Sequence, residues 1–173
     1  MKLRLLFVVC VAFSCGCSAT GPKFTEYRNS LRTLPDDKSR IYVFRATESS
    51  LAAGRSASLK IDGNSLGKCA HKGFNIFEVP PGLRTLKVEI WDSPGSCSIE
   101  FKLASSKEYY FEISPRKEFF DAGSTGVVLM GGVGGLIAGA AESSGKVCGG
   151  PFSIQAVESA VAEKKMRDLR FTD

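Results

Sequence analysis

The sequence has few of the residues on which catalytic and metal sites usually depend. Its 173 residues include one tryptophan and one histidine, His71. It lacks a Gly-x-Ser-x-Gly turn for a nucleophilic serine, a Gly-x-x-x-x-Gly-Lys-Ser/Thr phosphate loop and a Gly-x-Gly-x-x-Gly dinucleotide motif. A Ser-His-Asp triad would have to use His71, and nothing selects a pair of carboxylates for glycosidase chemistry. We therefore predict no catalytic residues and no cofactor.

Nucleic-acid binding and metal binding are also unsupported. No block of five or six like charges occurs, and Lys2 and Arg4 account for two of the net +5 charges. The remaining charge of about +3 is spread along the chain, so we expect no nucleic-acid partner. No Cys-x-x-Cys is present, and a site of three cysteines and His71 would compete with disulfide formation for the same thiols. We predict no metal site.

The first 17 residues, MKLRLLFVVCVAFSCGC, have the organisation of an export signal. Two early basic residues precede nine uncharged residues, 5–13, a length typical of a signal-peptide core and too short for a transmembrane helix. The four residues before Cys17, Phe-Ser-Cys-Gly, resemble the bacterial lipobox, in which the cysteine thiol receives a diacylglyceryl group. We predict that residues 1–16 are a signal peptide and that Cys17 is lipidated, with Cys15 as the alternative.

A different interpretation of the same residues is an ordinary secretory signal. Small residues surround both kinds of cleavage site, and cleavage after Ala19 would leave a soluble product. Lipidation would instead hold the protein at a membrane, because each acyl methylene contributes about 0.8 kcal/mol on burial in the bilayer.

Cys69, Cys97 and Cys148 remain in the exported part of the chain, where the compartment would be oxidising. One pair can form a disulfide, and one thiol would be left. We consider Cys69 with Cys97 first, since closing that loop would add roughly 3 kcal/mol. Cys148 could replace either partner, and two unpaired buried thiols are a further alternative.

Apolar and polar residues alternate from Arg40 onward, which predicts half-buried strands. Asp62-Gly63-Asn64 and Pro81-Gly82 supply the turn residues between them. The spacing of about ten residues indicates a mainly β protein, a small antiparallel β-sandwich of about seven strands. The predicted strands are residues 40–45, 57–62, 65–69, 73–79, 83–92, 97–104 and 108–113.

The segment Gly126 to Ala141, GVVLMGGVGGLIAGAA, contains no charged residue. Gly131, Gly135 and Gly139 recur every four residues and would form a bare ridge on a helix, as in small-xxx-small interfaces. Sixteen helical residues would span about 24 Å, less than the roughly 30 Å of a hydrocarbon core. The alternatives are a hairpin or helix packed on the sandwich, contact with a membrane or a second copy, and a membrane-spanning helix.

These observations divide the chain into five parts. After the signal peptide, residues 17–39 form a lipidated tether and residues 40–115 form the sandwich. Residues 116–151 form the glycine-rich apolar segment, and residues 152–173 form a last strand and a C-terminal helix, because alternation from Phe152 is followed by helical spacing from Glu158 to Arg170.

The order of motifs resembles a known pattern. SLKIDGNSLG at 58–67 and PPGLRTLKV at 80–88 match the pattern Ile-Asp-Gly, Leu-Gly, Pro-Gly-x-His/Arg-x-Leu-x-Val. That pattern is shared by PEGA-like, transthyretin-like sandwich modules and by bacterial envelope lipoproteins whose domain has no known function. With the lipobox and the strand RIYVFR at 40–45, the sequence is most similar to the lipoprotein family. This family has no catalytic residues to transfer.

The resemblance implies a non-enzymatic lipoprotein of the bacterial cell envelope, acting as a structural or binding module. Its first partner would be membrane lipid through the acylated cysteine, and an envelope protein or a second copy would be a further partner. Ser18 after the cysteine, rather than Asp, suggests the outer membrane, with the domain facing the periplasm. The alternative is a membrane-inserting or oligomerising protein that uses the glycine ridge. An envelope hydrolase would require a cleft with two carboxylates of displaced pKa.

Overall fold

The computed structural model describes residues 18–47, 52–117, 119 and 143–172. Within these residues, two five-stranded sheets face each other across one apolar core, which confirms the predicted β-sandwich. The helices and strands whose bounds the structure gives are, in chain order, α1 (Phe24–Asn29), β1 (Ser39–Phe44), β2 (Ala57–Ile61), β3 (Asn64–Cys69), β4 (Gly73–Val79), β5 (Gly82–Glu89), β6 (Ser96–Leu103), β7 (Glu108–Pro115), β8 (Ser143–Cys148), β9 (Phe152–Val157), α2 (Ser159–Met166) and β10 (Arg170–Phe171).

The first sheet has the order β10-β4-β1-β7-β9, and the second has the order β3-β2-β5-β6-β8. Most neighbouring strands are antiparallel, but β1 pairs with β7, and β10 with β4, in parallel. The core between the sheets contains inward residues of both, such as Leu59, Val88, Phe101 and Phe111. The alternation of apolar and polar residues correctly predicted β2, β5 and β6, since each of these strands buries only one face.

Strand β1 is buried along its whole length because its second face is covered too. Helices α1 and α2 lie over the outer face of the first sheet and form a second apolar cluster there. Phe24 of α1 meets the rings of Tyr42 and Phe74 edge to face. Ala162 and Met166 of α2 are fully buried in this cluster.

The hairpin between β2 and β3 turns at Asp62 and Gly63, whose φ angles of 49° and 82° lie in the left-handed region. Aspartate and glycine tolerate this region, as the sequence predicted. The Asp62 carboxylate also accepts hydrogen bonds from the Thr85 backbone N–H and the Arg84 guanidinium, at 2.9 Å each. These bonds tie the hairpin to β5.

The sandwich uses strands from three of the segments into which we divided the sequence. Strand β8 comes from the end of the segment 116–151 and pairs with β6, while β9 and β10 from the last segment complete the first sheet. The signal peptide and the glycine ridge of Gly131, Gly135 and Gly139 lie outside the described residues. No helix among residues 18–47, 52–117 and 143–172 is long and apolar enough to cross a membrane.

The disulfide joins Cys97 of β6 to Cys148 of β8. The pairing of Cys69 with Cys97, which we considered first, is therefore wrong. The alternative, in which Cys148 replaces Cys69 as the partner of Cys97, is the one that the structure contains. Cys69 on β3 is separated from β6 by β2 and β5, so three strand spacings of about 4.8 Å lie between them. A disulfide requires Cα atoms within about 7 Å. Cys97 and Cys148 are direct cross-strand neighbours, and Cys69 is free and buried.

Candidate functional site

Two regions of the described chain bring polar or exposed groups together in a way that could serve a function. One is a cluster of charges and phenols beneath the helices, and the other is one end of the sandwich. Neither is a metal centre, because the described residues contain no group of three or more metal-ligating side chains.

The polar cluster lies between the outer face of the first sheet and the two helices. The rings of Tyr42 and Tyr110 stack with their centroids 4.6 Å apart. The Glu108 carboxylate accepts hydrogen bonds from the hydroxyl of Tyr42 at 2.8 Å and from that of Tyr110 at 3.1 Å. The Arg40 guanidinium, 5% exposed, lies 3.3 Å from the same carboxylate and 2.6 Å from Glu78. Arg28 of α1 extends the cluster to Glu163 of α2 at 2.7 Å.

Burial strengthens the preference of the two phenols for the protonated form. It raises the pKa of Tyr42 to about 12, with a further contribution from the hydrogen bond to Glu108. Burial also raises the pKa of Tyr110. Both phenols therefore stay protonated near neutral pH and act as hydrogen-bond donors. General acid–base catalysis needs a pKa near the working pH, and the raised pKa moves both phenols farther from it.

A groove of about 400 Å³ runs beside the polar cluster. Its one carboxylate, that of Glu78, is already paired with Arg40, and the Arg32 carbonyl accepts a hydrogen bond from the same guanidinium at 2.8 Å. The groove thus offers apolar groups, hydroxyl groups and the exposed side chain of Arg32. It is lined by Tyr27, Ser30, Leu31, Arg32, Thr33, Pro35 and Glu78.

The second region is the end of the sandwich formed by the loops 70–72 and 90–95, which we call the Trp91 end. The N-terminal residues of the described chain pack here. Ser18 forms a bridge with His71, and the Ala19 N–H donates to the His71 carbonyl at 3.3 Å. The Gly21 N–H donates to the Phe171 carbonyl at 3.1 Å. A Cβ at Gly21 would lie 2.6 Å from that oxygen, so only glycine allows so close an approach.

Arg45 holds the loops of the Trp91 end together. Its side chain is buried, and its guanidinium donates to the carbonyls of Arg55 at 2.6 Å, Ala52 at 3.1 Å and Cys69 at 3.4 Å. It also lies over the Phe152 ring, 4.6 Å from its centroid. Burial lowers the pKa of Arg45 from its usual value. Three segments distant in sequence are thereby joined at one point.

Trp91 is the most exposed large apolar side chain among the described residues, at 83%. It follows β5, and its neighbour Asp92 forms a 3.1 Å ion pair with Arg55. Farther along the same loop, Gly95 packs against Gly149 so closely that an added Cβ would lie 2.5 Å from the Gly149 carbonyl oxygen. Arg116 completes this end by donating to the carbonyls of Cys148 and Gly150.

The structure describes three of the eight residues that the sequence selected as candidates for a site. Cys97 and Cys148 form the disulfide. Cys69 lies apart from them, and burial raises the pKa of its thiol to about 12, so it is neither ionised nor nucleophilic near neutral pH. Cys17, Cys15 and the glycine ridge lie outside the described residues.

Sequence reasoning did not identify the Trp91 end. The predicted strand 83–92 includes Trp91, but β5 ends at Glu89. Tyr42 and Tyr110 are buried, whereas Trp91 is exposed in a turn. The Asp-Ser-Pro-Gly run at 92–95 is a turn signal that could have placed Trp91 at the end of a hairpin.

Residues 35–128 match a family model described as a protein of unknown function (DUF2846). This agrees with the expected resemblance to a domain of unknown function, and the matched range includes β1 to β7. No curated protein matches the sequence significantly.

Proposed function

The chain belongs to a family of proteins of unknown function, DUF2846, and we propose that it is a lipid-anchored, non-enzymatic protein of the bacterial cell envelope. In this proposal, Cys17 carries the lipid, and the sandwich acts as a structural or binding module. The membrane is the outer membrane, and the domain faces the periplasm. The resemblance to envelope lipoproteins and PEGA-like modules supports this assignment.

The observation that carries the proposal is the position of Ser18 and Ala19. Both residues pack on the loop around His71, where Ala19 donates a backbone hydrogen bond. Lipoprotein processing cuts before Cys17 and keeps these contacts. An ordinary secretory cleavage after Ala19 would remove both residues and leave this part of the Trp91 end uncovered. The packing therefore favours processing at the lipobox.

Two further features are consistent with an exported, non-enzymatic module. Disulfides such as Cys97–Cys148 persist in oxidising compartments, including the bacterial periplasm. In the polar cluster, burial raises the pKa of Tyr42 and Tyr110 away from neutrality, and the charges are engaged in ion pairs between strands and helices. These groups stabilise the fold and leave a binding or structural role as the best supported one.

The test is the chemical state of the mature N-terminus. Mass spectrometry of the protein from bacterial membranes should find a peptide that begins at Cys17 and carries a diacylglyceryl group. Cys17→Ser should abolish both the lipid and cleavage before residue 17. Cys15→Ser is the matched control and should keep both. A mature protein that begins at Thr20 and carries no lipid would refute the proposal.

A further inference from the structure

We propose that the Trp91 end of the sandwich lies directly against the bilayer surface, with the Trp91 side chain in the headgroup region. This inference rests on the proposed lipid anchor at Cys17. It adds which surface of the domain contacts lipid and how the domain is oriented.

The first step is the length of the tether. Ser18 is held at His71, and Ala19 and Gly21 are bonded to the domain as well. Consecutive Cα atoms are about 3.8 Å apart, so the Cα of Cys17 lies within that distance of the Cα of Ser18. A lipid on Cys17 leaves no flexible linker between bilayer and domain. The surface around His71 must therefore stay close to the headgroups.

The second step is that Trp91 belongs to the same end as Ser18. Asp92, next to Trp91, is paired with Arg55. The Arg55 carbonyl accepts a hydrogen bond from Arg45, whose guanidinium also reaches the Cys69 carbonyl. Cys69 ends β3, and the loop that follows contains His71. Strand register agrees, since Ala57 pairs with Cys69 and Ser58 with Glu89.

The third step is the chemistry of this end. Tryptophan is enriched at membrane–water interfaces because its ring is apolar and its indole N–H stays hydrogen-bonded. Here an 83% exposed tryptophan stands in a loop whose backbone is fixed by the Arg55–Asp92 pair and by the contact of Gly95 with Gly149. Insertion of the ring among the headgroups would explain why so large an apolar side chain is exposed to solvent in the isolated domain.

The basic residues at the Trp91 end also support its contact with the bilayer. Lys68, Lys72 and Arg170 are exposed around the site where Ser18 docks. Basic residues are attracted electrostatically to anionic headgroups. The opposite end of the sandwich carries the Asp62–Gly63 hairpin and would face the aqueous compartment.

The experiment uses the chain's single tryptophan as its own probe. The lipidated mature protein, which begins at Cys17, is reconstituted into vesicles of phosphatidylethanolamine and phosphatidylglycerol. A second preparation contains phospholipids brominated near the headgroup end of the acyl chains. We expect Trp91 emission to shift to the blue on reconstitution and to be strongly quenched by the brominated lipid.

Two variants serve as controls. Leu83, 60% exposed, lies near the start of β5 at the opposite end. The double variant Trp91→Phe, Leu83→Trp moves the probe there and should show neither shift nor quenching. Insertion of ten Gly/Ser residues between Cys17 and Ser18 should leave vesicle binding intact and reduce the quenching of Trp91.

The outcomes separate this inference from the lipid anchor. Lipidated protein that floats with vesicles but shows no quenching of Trp91 would overturn the orientation and leave the anchor standing. Equal quenching at positions 91 and 83 would overturn it as well. Protein that lacks the lipid and does not float would overturn both proposals.

Discussion

Cys97 and Cys148 show how a single covalent bond depends on strand order. They face each other across β6 and β8 and are 51 positions apart in sequence. The chain-entropy estimate for a loop of that length is about 4 kcal/mol. The bond fastens β8, the edge strand of the second sheet, to its neighbour.

We expect Cys148→Ser to lower the free energy of unfolding by about 4 kcal/mol and to remove the effect of reductant on stability. Urea unfolding with and without dithiothreitol measures both. Cys69→Ala is the matched control, because Cys69 is buried but free. It should unfold at lower urea concentration when reduced, like the unmodified protein. Reductant sensitivity that persists in Cys148→Ser would mean that Cys97 pairs with Cys69 instead.

Tyr42 and Tyr110 are a second case in which position determines residue chemistry. Burial raises the pKa of both phenols, that of Tyr42 to about 12. A pKa raised by folding means that the unfolded chain loses the proton first as the pH rises. Their contribution to stability is therefore complete below pH 10, the ordinary value, and is lost as the pH rises through the folded-state pKa.

Tyr42→Phe should weaken this alkaline loss of stability. We expect the free energy of unfolding of the unmodified protein to fall between pH 10 and 12. The fall should be shallower in Tyr42→Phe, although the variant is less stable at neutral pH, because the Glu108 carboxylate loses a donor. Thermal unfolding across this pH range measures both effects. An identical alkaline slope in the two proteins would contradict the prediction.

At the scale of elements, α2 covers one face of the first sheet although few of its residues are apolar and buried. Only Ala162 and Met166 of this helix are buried. Yet α2 covers the outer face of the first sheet and connects to it through ion pairs. Lys165 pairs with Glu112 of β7, and Glu163 pairs with Arg28 of α1.

Met166→Ala should destabilise the protein by about 3 kcal/mol, since it opens a cavity between α2 and the sheet. Val161→Ala on the same helix is the matched control, because Val161 is 46% exposed and should change stability by less than about 1 kcal/mol. Chemical denaturation compares the two variants. Equal losses would indicate that α2 does not pack on the sheet as described.

Predicted and observed strands agree best where one face of the strand is buried and the other is accessible to solvent. In β2, β5 and β6, burial alternates, and the sequence alternates with it. Strand β8 was missed because its sequence, SSGKVC, follows the uncharged glycine-rich run and contains little alternation of its own. It becomes a strand through pairing with β6, which is a non-local contact.

At the scale of the whole molecule, the sandwich extends beyond the range that identifies the family. The family model ends at residue 128, whereas β8, β9 and β10 lie at 143–171. These strands occupy three of the four sheet edges. Phe152 and Ile154 of β9 are buried in the main core.

A chain of residues 18–128 should therefore fail to unfold cooperatively. It would lose Phe152, Ile154 and β9, which is one of the two bonding partners of β7. Thermal unfolding followed by circular dichroism, with residues 18–173 as the control, tests this. A cooperative transition in the shorter chain, with the same strand signal, would show that the family range folds alone.

The two ends of the molecule differ in how far the sequence could have predicted them. The Asp62–Gly63 hairpin was predictable because a short-range turn needs residues that tolerate positive φ. The Trp91 end was not, because Ser18, Arg45 and Trp91 are distant in sequence and only the order and register of the strands place them at the same end. Arg45 in particular looks like the last polar residue of a strand until its burial among carbonyl groups is known.

By itself, the sequence determined the class of the fold, the hairpin turns and the strands that have one solvent-accessible face. These features depend on the local alternation of apolar and polar residues and on local φ preferences. It also provided the lipobox-like signal on which the proposed anchor rests. Only the tertiary structure decided the cysteine pairing, the burial of both faces of β1 and the docking of Ser18 beside His71. Each of these depends on which strands become neighbours, and that is determined by packing across the whole chain.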